Sequence, residues 1–106
     1  MGAIELYRTT RDPHHLALAR KFFEMRDQVK EGTDDNQDRI PFRKQTEAVG
    51  HAVRANYLYA GAADLYLETG DRTLLQPLEK IWTNVVGRKL YITGACGALF
   101  DGASPD

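Results

Sequence analysis

The sequence predicts an all-α fold made of antiparallel helical hairpins. Apolar residues recur at steps of three and four over several long segments, which is the spacing of one helical face. In addition, residues 3–23 align without gaps on residues 62–82, so the chain carries an internal repeat. The aligned identities are Ala3/Ala62, Leu6/Leu65, Tyr7/Tyr66, Thr10/Thr69, Asp12/Asp71, Leu16/Leu75 and Lys21/Lys80. Each copy reads as helix, capped turn and helix, which indicates an α/α repeat or toroid whose hairpins bury their faces against one another.

The first copy is expected to contain two helices. The stretch "AIELYRTT" is predicted to form a short helix that begins almost at Met1 and has no capping residue. Asp12 can accept hydrogen bonds from the free amides of a first helical turn, and Pro13 suits the first helical position. A second helix is therefore predicted over residues 13–28. Its packed face would carry Leu16, Ala19, Phe22, Phe23 and Arg26.

Residues 29–45 are predicted to form a long loop. They are polar, contain Gly32 and Pro41, and follow neither the helical nor the strand period. Loops of this length in compact domains are usually functional or disordered, and the sequence leaves both alternatives open.

The acidic stretch "DDNQD" (34–38) within this loop begins like a calcium-binding loop, with oxygen ligands at the first three positions. Arg39 then occupies the place of the glycine that makes the sharp turn, and Gln45 occupies the place of the bidentate glutamate. Solvated loop acids are the favoured interpretation.

The second copy is expected to open with a slim, alanine-rich helix from about Glu47 to Thr69. Its apolar face would be formed by His51, Ala55, Leu58, Ala62 and Leu65. Small residues let neighbouring helices approach closely, so burial on several sides is expected. Gly70 suits the left-handed position after a helix, and Asp71 can cap the helix that follows.

A strongly amphipathic last helix is predicted next, with apolar positions Leu74, Leu75, Leu78, Ile81, Trp82, Val85 and Val86. Pro77 predicts a kink or a helix start nearer Gln76, because proline removes a backbone hydrogen bond and clashes with the preceding turn. After Gly87, "KLYITG" is expected to form a short extended segment, and "GACGALFDGASPD" a Gly-rich irregular tail.

Composition limits the size of the fold and its partners. A chain of 106 residues with 42% hydrophobic residues fits one small domain, with no second domain expected. Lys plus Arg (14) and Asp plus Glu (15) nearly cancel, which argues against nucleic acid and membrane partners. The single cysteine, Cys96, cannot form an intramolecular disulfide. No signal peptide or transmembrane segment is recognisable, which leaves the localisation unknown.

The two ends favour a piece of a longer protein. The first helix is short and uncapped, and the chain stops on "GASPD" without a closing element. Unclosed helical repeats are poorly stable alone. Their unpaired helix faces are also expected to allow self-association.

His51 is the main candidate for a ligand contact. It lies directly after the polar loop, on a helix face that otherwise carries alanine and leucine, and a buried imidazole must find hydrogen-bond partners. A ligand contact and an ordinary residue near a core both remain open from the pattern alone.

Cys96 has no second cysteine or nearby histidine to complete a metal or nucleophile set. The aromatic residues of the second copy could stack on a sugar, but their helical spacing favours core contacts: Tyr57, Tyr59, Tyr66 and Trp82.

Two stretches, "QTEAVGHAVRANYLYAGAADLYLETGD" and "IWTNVVGRKLYITGACGALFDG", resemble the glycoside hydrolase family 127 enzymes, the β-L-arabinofuranosidase-like group. The likeness extends across nearly the whole chain and is strongest from Gln45 to Asp101. It implies that residues 1–106 form about two and a half hairpins of a catalytic (α/α)6 barrel. It also implies retaining hydrolysis of terminal β-L-arabinofuranosides by a zinc-bound cysteine nucleophile and a glutamate acid/base.

The same resemblance implies the site residues. The histidine of "GHAVR" is a sugar contact in the family and matches His51, and Arg54 of the same motif is assigned with it to substrate binding. In the family, the acid/base glutamate and the zinc ligands lie after the Gly-rich turn, so no catalytic residue, metal ligand or cofactor is assigned in this chain. Cys96 does not match the nucleophile. The chain departs from the family pattern at Arg11, Arg39, Lys44 and Ala95.

The predicted function is therefore that of a glycoside hydrolase fragment, inactive alone, whose full-length protein would bind a carbohydrate and require zinc. The alternative is a helical-repeat interaction module without catalytic activity.

Overall fold

The computed structural model describes residues 1–97 and contains two helical hairpins over that range. Its helices are α1 (Gly2–Thr10), α2 (Pro13–Arg26), α3 (Ala52–Thr69) and α4 (Arg72–Asn84). A 3₁₀ turn at Phe42–Lys44 lies between the hairpins, and a π-helical turn at Val85–Lys89 follows α4. No residue from 1 to 97 lies in a β-strand, so the all-α prediction is confirmed. None of the helices in this range is both long and apolar enough to cross a membrane.

The two hairpins turn in the same way, which confirms the internal repeat in three dimensions. Arg11 follows α1 with φ 59° and ψ 14°, and Gly70 follows α3 with φ 67° and ψ 15°. Both residues are in the left-handed conformation that ends many helices. Their amides donate to the carbonyl oxygens of Tyr7 and Tyr66 at 2.8 and 2.7 Å. The first copy therefore uses an arginine in a backbone conformation for which glycine is better suited.

Each hairpin begins its second helix with an aspartate cap, as the sequence predicts. The carboxylate of Asp12 accepts the amide of His14 at 2.9 Å, and that of Asp71 accepts the amide of Thr73 at 3.0 Å. These bonds favour the charged carboxylates: a backbone hydrogen bond lowers the pKa of Asp12, and a side-chain hydrogen bond from Thr73 lowers that of Asp71. A local interaction within three residues thus sets where α2 and α4 begin.

The core lies between the hairpins and includes one residue from the long loop. Phe42 is completely buried, and its ring meets Phe23 of α2 edge to face, with centroids 4.9 Å apart. Burial of a phenylalanine side chain contributes about 2–3 kcal/mol, so this loop residue is a major core contact. The buried apolar set is Ile4, Phe23, Phe42, Ala48, Ala55, Tyr59, Ala62, Leu65, Leu74, Ile81 and Val85.

The long loop is held against both hairpins by Arg43. The amide of Phe42 donates to one carboxylate oxygen of Asp27 at 2.7 Å, and Arg43 donates to the other at 3.0 Å. The same guanidinium reaches the start of α4, where it donates to the hydroxyl of Thr73 at 2.9 Å and to Asp71 at 3.4 Å. Of the two alternatives left open by the sequence, the structure shows an ordered loop that packs on the fold.

An arginine on α1 connects the two hairpins directly. Arg8 donates to Glu68 at 2.6 Å and to Asp64 at 3.0 Å, both on α3, and to Glu5 of its own helix at 2.6 Å. The hydrogen bond to Glu68 is the main reason that the pKa of Arg8 is raised above its ordinary value.

Three features after the second turn differ from expectation. Helix α4 begins at Arg72 and continues through Pro77, so the start predicted near Gln76 is wrong. The extended segment predicted for "KLYITG" is also wrong, because the chain forms the π-helical turn and then a turn in which the amide of Gly94 donates to Tyr91 at 2.8 Å. The Gly-rich tail falls largely on residues 98–106, outside the described residues, and the prediction of two and a half hairpins over 1–106 stays a prediction.

The aromatic residues of the second copy are only partly in the core. Tyr59 is buried, but Tyr57 and Trp82 are 65% and 66% exposed over the described residues, so the core assignment is wrong for these two. Trp82 lies beside a groove of about 490 Å³ between α3 and α4, whose walls include Leu67, Leu75 and Leu78.

Candidate functional site

His51 lies at the junction between the long loop and α3. Its backbone is not helical (φ −60°, ψ 115°), and its carbonyl accepts the amide of Ala55 at 2.9 Å, which is the first bond of the helix. The residue is half-buried, and its Nδ1 atom is buried with no hydrogen-bond partner among residues 1–97. A buried imidazole nitrogen without a partner is unfavourable, so a polar partner for this atom is expected from outside residues 1–97.

The start of α3 at Ala52 corrects the predicted start at Glu47. The preceding amides bond elsewhere: that of Ala48 donates to the side chain of Asn84 at 3.0 Å, and that of His51 to the carbonyl of Asp35 at 3.4 Å. These partners are distant in sequence, so a helical period cannot reveal them. His51 therefore ends an irregular segment, rather than lying on the packed face inside the helix.

Gly50 makes the close approach of the loop possible. Its φ of +75° suits glycine, and a Cβ built on it would lie 1.7 Å from the carbonyl oxygen of Asp34 and 2.8 Å from Nε2 of Gln37. Any side chain at this position would displace the loop from the entrance to α3. The glycine thus fixes the distance between His51 and the loop.

The acidic loop, defined as residues 33–38, is attached to α3 through Arg54. The Nη1 atom of Arg54 donates to the carboxylate of Asp35 and, at 2.9 Å, to the side-chain oxygen of Asn36. From the other side, Arg26 at the end of α2 donates to the carbonyl of Asn36. The two arginines hold the loop over the first turn of α3, and the predicted site residues His51 and Arg54 lie on the same turn.

The carboxylates of the acidic loop are each used within the fold. Asp34 pairs with Arg39 at 2.8 Å, and Asp38 accepts the amide of Thr33 at 2.7 Å. Over residues 1–97, no three His, Cys, Asp or Glu side chains are grouped so that they could hold a metal ion. The loop acids are thus paired with cations and backbone amides, and are not simply solvated.

A second polar group lies further along α3. Asn56 donates to the sulfur of Cys96 at 2.9 Å, which holds the turn after α4 against α3. Burial raises the pKa of Tyr59 to about 12, and the Tyr59 hydroxyl is buried without a hydrogen-bond partner over residues 1–97. The hydroxyl of Tyr59 is thus protonated at neutral pH, and can donate a hydrogen bond.

Several of these residues were not recognisable from the sequence. Gln37 and Asn56 are ordinary polar residues in a loop and on a helix, and no pattern marks them. Arg26 carried a signal, because it occupies a position of the apolar face of α2 where a charged residue is unexpected. Its guanidinium Nε is in fact buried, and has no hydrogen-bond partner over residues 1–97.

Comparison with known proteins identifies the family of this chain. The family model of the β-L-arabinofuranosidase GH127 catalytic domain matches residues 1–105. The chain belongs to the GH127 catalytic-domain family. The family resemblance seen in the sequence is confirmed, and the four helices are part of an all-α barrel fragment.

Individual relatives agree with this assignment. A non-reducing end β-L-arabinofuranosidase of Bifidobacterium longum is 42% identical over 64 residues, which are 60% of this chain and 10% of that protein. A solved glycoside hydrolase is 58% identical with a TM-score of 0.90, covering 94% of this chain and 16% of its own. A GH127 β-L-arabinofuranosidase from Geobacillus stearothermophilus T6 is 35% identical with a TM-score of 0.88, covering 96% and 19%. This GH127 chain therefore spans less than a fifth of the length of these relatives.

Proposed function

We propose that this GH127 segment forms part of the sugar-binding wall of a glycoside hydrolase that acts on terminal β-L-arabinofuranosides or related glycosides. The observation that carries the proposal is the half-buried His51 at the start of α3, whose Nδ1 has no hydrogen-bond partner among residues 1–97. His51 contacts the sugar. A neutral imidazole offers one donor and one acceptor, which suits the hydroxyl groups of a sugar.

Arg54 supports the same wall and contributes to substrate binding. Its Nη1 atom is used by Asp35 and Asn36 within residues 1–97. A guanidinium carries five N–H donors in a fixed plane, so donors on its other nitrogens can serve a ligand while the bond to the loop is kept.

The segment alone is proposed to be inactive. The family resemblance implies that the acid/base glutamate and the zinc ligands lie after the Gly-rich turn, so no catalytic residue and no zinc ligand is assigned to this segment. An assay of the 106-residue chain against an aryl β-L-arabinofuranoside, with and without added zinc, tests this. Background rates are expected in both, and robust turnover would contradict the proposal.

The role of His51 is tested in the full-length protein that contains this segment. His51→Ala removes a polar contact to the sugar and is expected to raise KM for the aryl glycoside about tenfold. His14→Ala is the matched control, because the side chain of His14 is 89% exposed at the start of α2. An unchanged KM in the His51 variant would support the structural interpretation of this residue.

One observation favours a second candidate function, a helical-repeat interaction module. The groove between α3 and α4 is lined by apolar side chains, and Leu67 and Trp82 on its walls are 70% and 66% exposed. Contiguous exposed apolar surface often marks an interaction site. We propose that this groove also allows the chain to associate with itself. Light scattering of the 106-residue chain should then show oligomers that dissociate in Trp82→Ser; a monomer at all concentrations would contradict this.

A further inference from the structure

Gln37 is a buried glutamine in an unfavourable backbone conformation. It lies near the end of the acidic loop, is 2% exposed, and has φ +55°, a region that non-glycine residues rarely adopt. Such outliers persist only where the surroundings hold them, and they cluster at functional sites. The question is what the side chain does there.

The carboxamide of Gln37 lies among backbone carbonyl groups of the acidic loop and of His51. Its Nε2 donates to the carbonyl of Asp35 at 2.8 Å and lies 3.4 Å from the carbonyl oxygens of Asp34 and His51. The amide of His51 donates to the same carbonyl of Asp35 at 3.4 Å. The carbonyl of Asp35 is thus shared between Gln37 and His51.

Gly50 leaves no space between these groups, because a Cβ on it would lie 2.8 Å from Nε2 of Gln37. The backbone that leads from Gly50 into His51 is therefore fixed by contact on one side and by hydrogen bonds on the other. Since the backbone sets the direction of the Cα–Cβ bond, the point from which the His51 imidazole projects depends on the Gln37 carboxamide.

A second buried glutamine provides an internal comparison. Gln45 is 4% exposed, and its Nε2 donates to the carbonyls of Gln37 and Ile40 at 2.8 and 2.9 Å. Gln45 therefore stabilises the loop at Gln37 and Ile40, and it has no hydrogen bond to His51. Both glutamines are buried and donate to backbone carbonyls, but only Gln37 reaches the candidate site, and Oε1 of Gln45 has no hydrogen-bond partner over residues 1–97.

We propose that Gln37 is a positioning residue for His51, which holds the imidazole in the direction needed to bind the sugar. This inference rests on the proposed sugar contact of His51. Gln37 touches no ligand itself, and acts through the backbone of His51 and the carbonyl of Asp35.

A double-mutant cycle in the full-length protein tests the coupling. KM and kcat for an aryl β-L-arabinofuranoside are measured for Gln37→Ala, His51→Ala and the double variant, with Gln45→Ala and its double variant as matched controls. Gln37→Ala is expected to raise KM about fivefold in the wild-type background, and to change it by no more than about twofold when His51 is already alanine. Gln45→Ala also removes the bond to the carbonyl of Gln37. It is expected to lower the thermal midpoint and to raise KM by no more than about twofold, which is less than Gln37→Ala does.

The outcomes separate the two levels of the proposal. If His51→Ala leaves KM unchanged, the proposed sugar contact fails. If His51→Ala raises KM but Gln37→Ala raises it equally in both backgrounds, or Gln45→Ala acts just as strongly, the positioning role is overturned. Should Gln37→Ala fail to fold, Gln37→Asn replaces it, because asparagine tolerates positive φ while its shorter side chain cannot span the same carbonyls. The same coupling to His51 is expected for it, and its absence overturns the inference.

Discussion

Replacing Arg11 with glycine should stabilise this chain, although it removes a long side chain. Arg11 has φ 59° and is exposed, and its amide donates to Tyr7 as that of Gly70 donates to Tyr66. A non-glycine residue in the left-handed conformation costs about 1–2 kcal/mol. Glycine also gives the unfolded chain more conformational entropy, which offsets about 0.5–1 kcal/mol of that gain in stability. The net expected gain in the free energy of unfolding is about 0.5–1 kcal/mol.

Urea titration of the 106-residue chain, followed by circular dichroism, measures the change. Arg11→Ala is the first control, because it removes the side chain but keeps the strained backbone, and its stability should stay within about 0.5 kcal/mol of the wild type. Gly70→Ala is the reciprocal control at the equivalent turn and should destabilise by about 1 kcal/mol. If Arg11→Gly is less stable than wild type, or if Arg11→Ala stabilises equally, backbone strain at this turn is not the cause.

Two further predictions concern the loop and the second cap. Phe42→Ala should destabilise the chain by about 3–4 kcal/mol, because the side chain is fully buried; the same urea titration would contradict this if the loss is below about 1 kcal/mol. The pKa of Asp71 is lower in the folded chain than its ordinary value of 3.8. The charged carboxylate therefore stabilises the fold fully above pH 3.8, and this contribution to the free energy of unfolding is lost as the pH falls through the folded-state pKa. Asp71→Asn keeps a cap but not the titration, so its urea midpoint should fall less than that of the wild type between pH 5 and about pH 2.5; equal falls would show that Asp71 does not contribute to the acid sensitivity.

The turns and helices could be predicted because their causes are local. Asp12 and Asp71 each cap an amide two residues away, and Gly70 needs only its own backbone freedom. Such interactions involve residue types that lie together in the sequence, and the internal repeat displays them twice. The family likeness of the "GHAVR" stretch then directed attention to His51, whose residue pattern alone left two interpretations open.

The surroundings of His51 could not be predicted, because their causes are remote. Phe42 is a single aromatic residue in a polar loop, and no period marks it as part of the core. The segment before α3 has a composition that suits a helix, yet the amide of Ala48 bonds to Asn84. Gln37 is buried only because the loop folds back onto Gly50. Each of these depends on a contact between parts of the chain that sequence patterns treat separately.

The position of Arg43 has a consequence for how the two hairpins unfold. In helical arrays, stability is approximately a sum over repeats and the interfaces between neighbours, so one end can open while the other persists. Here a single guanidinium binds Asp27 at the end of α2 and Thr73 at the start of α4. Opening either hairpin breaks the same set of bonds, which makes the loop a source of cooperativity between them. Hydrogen exchange should accordingly show the amides of α2 and α4 opening together, as one unit.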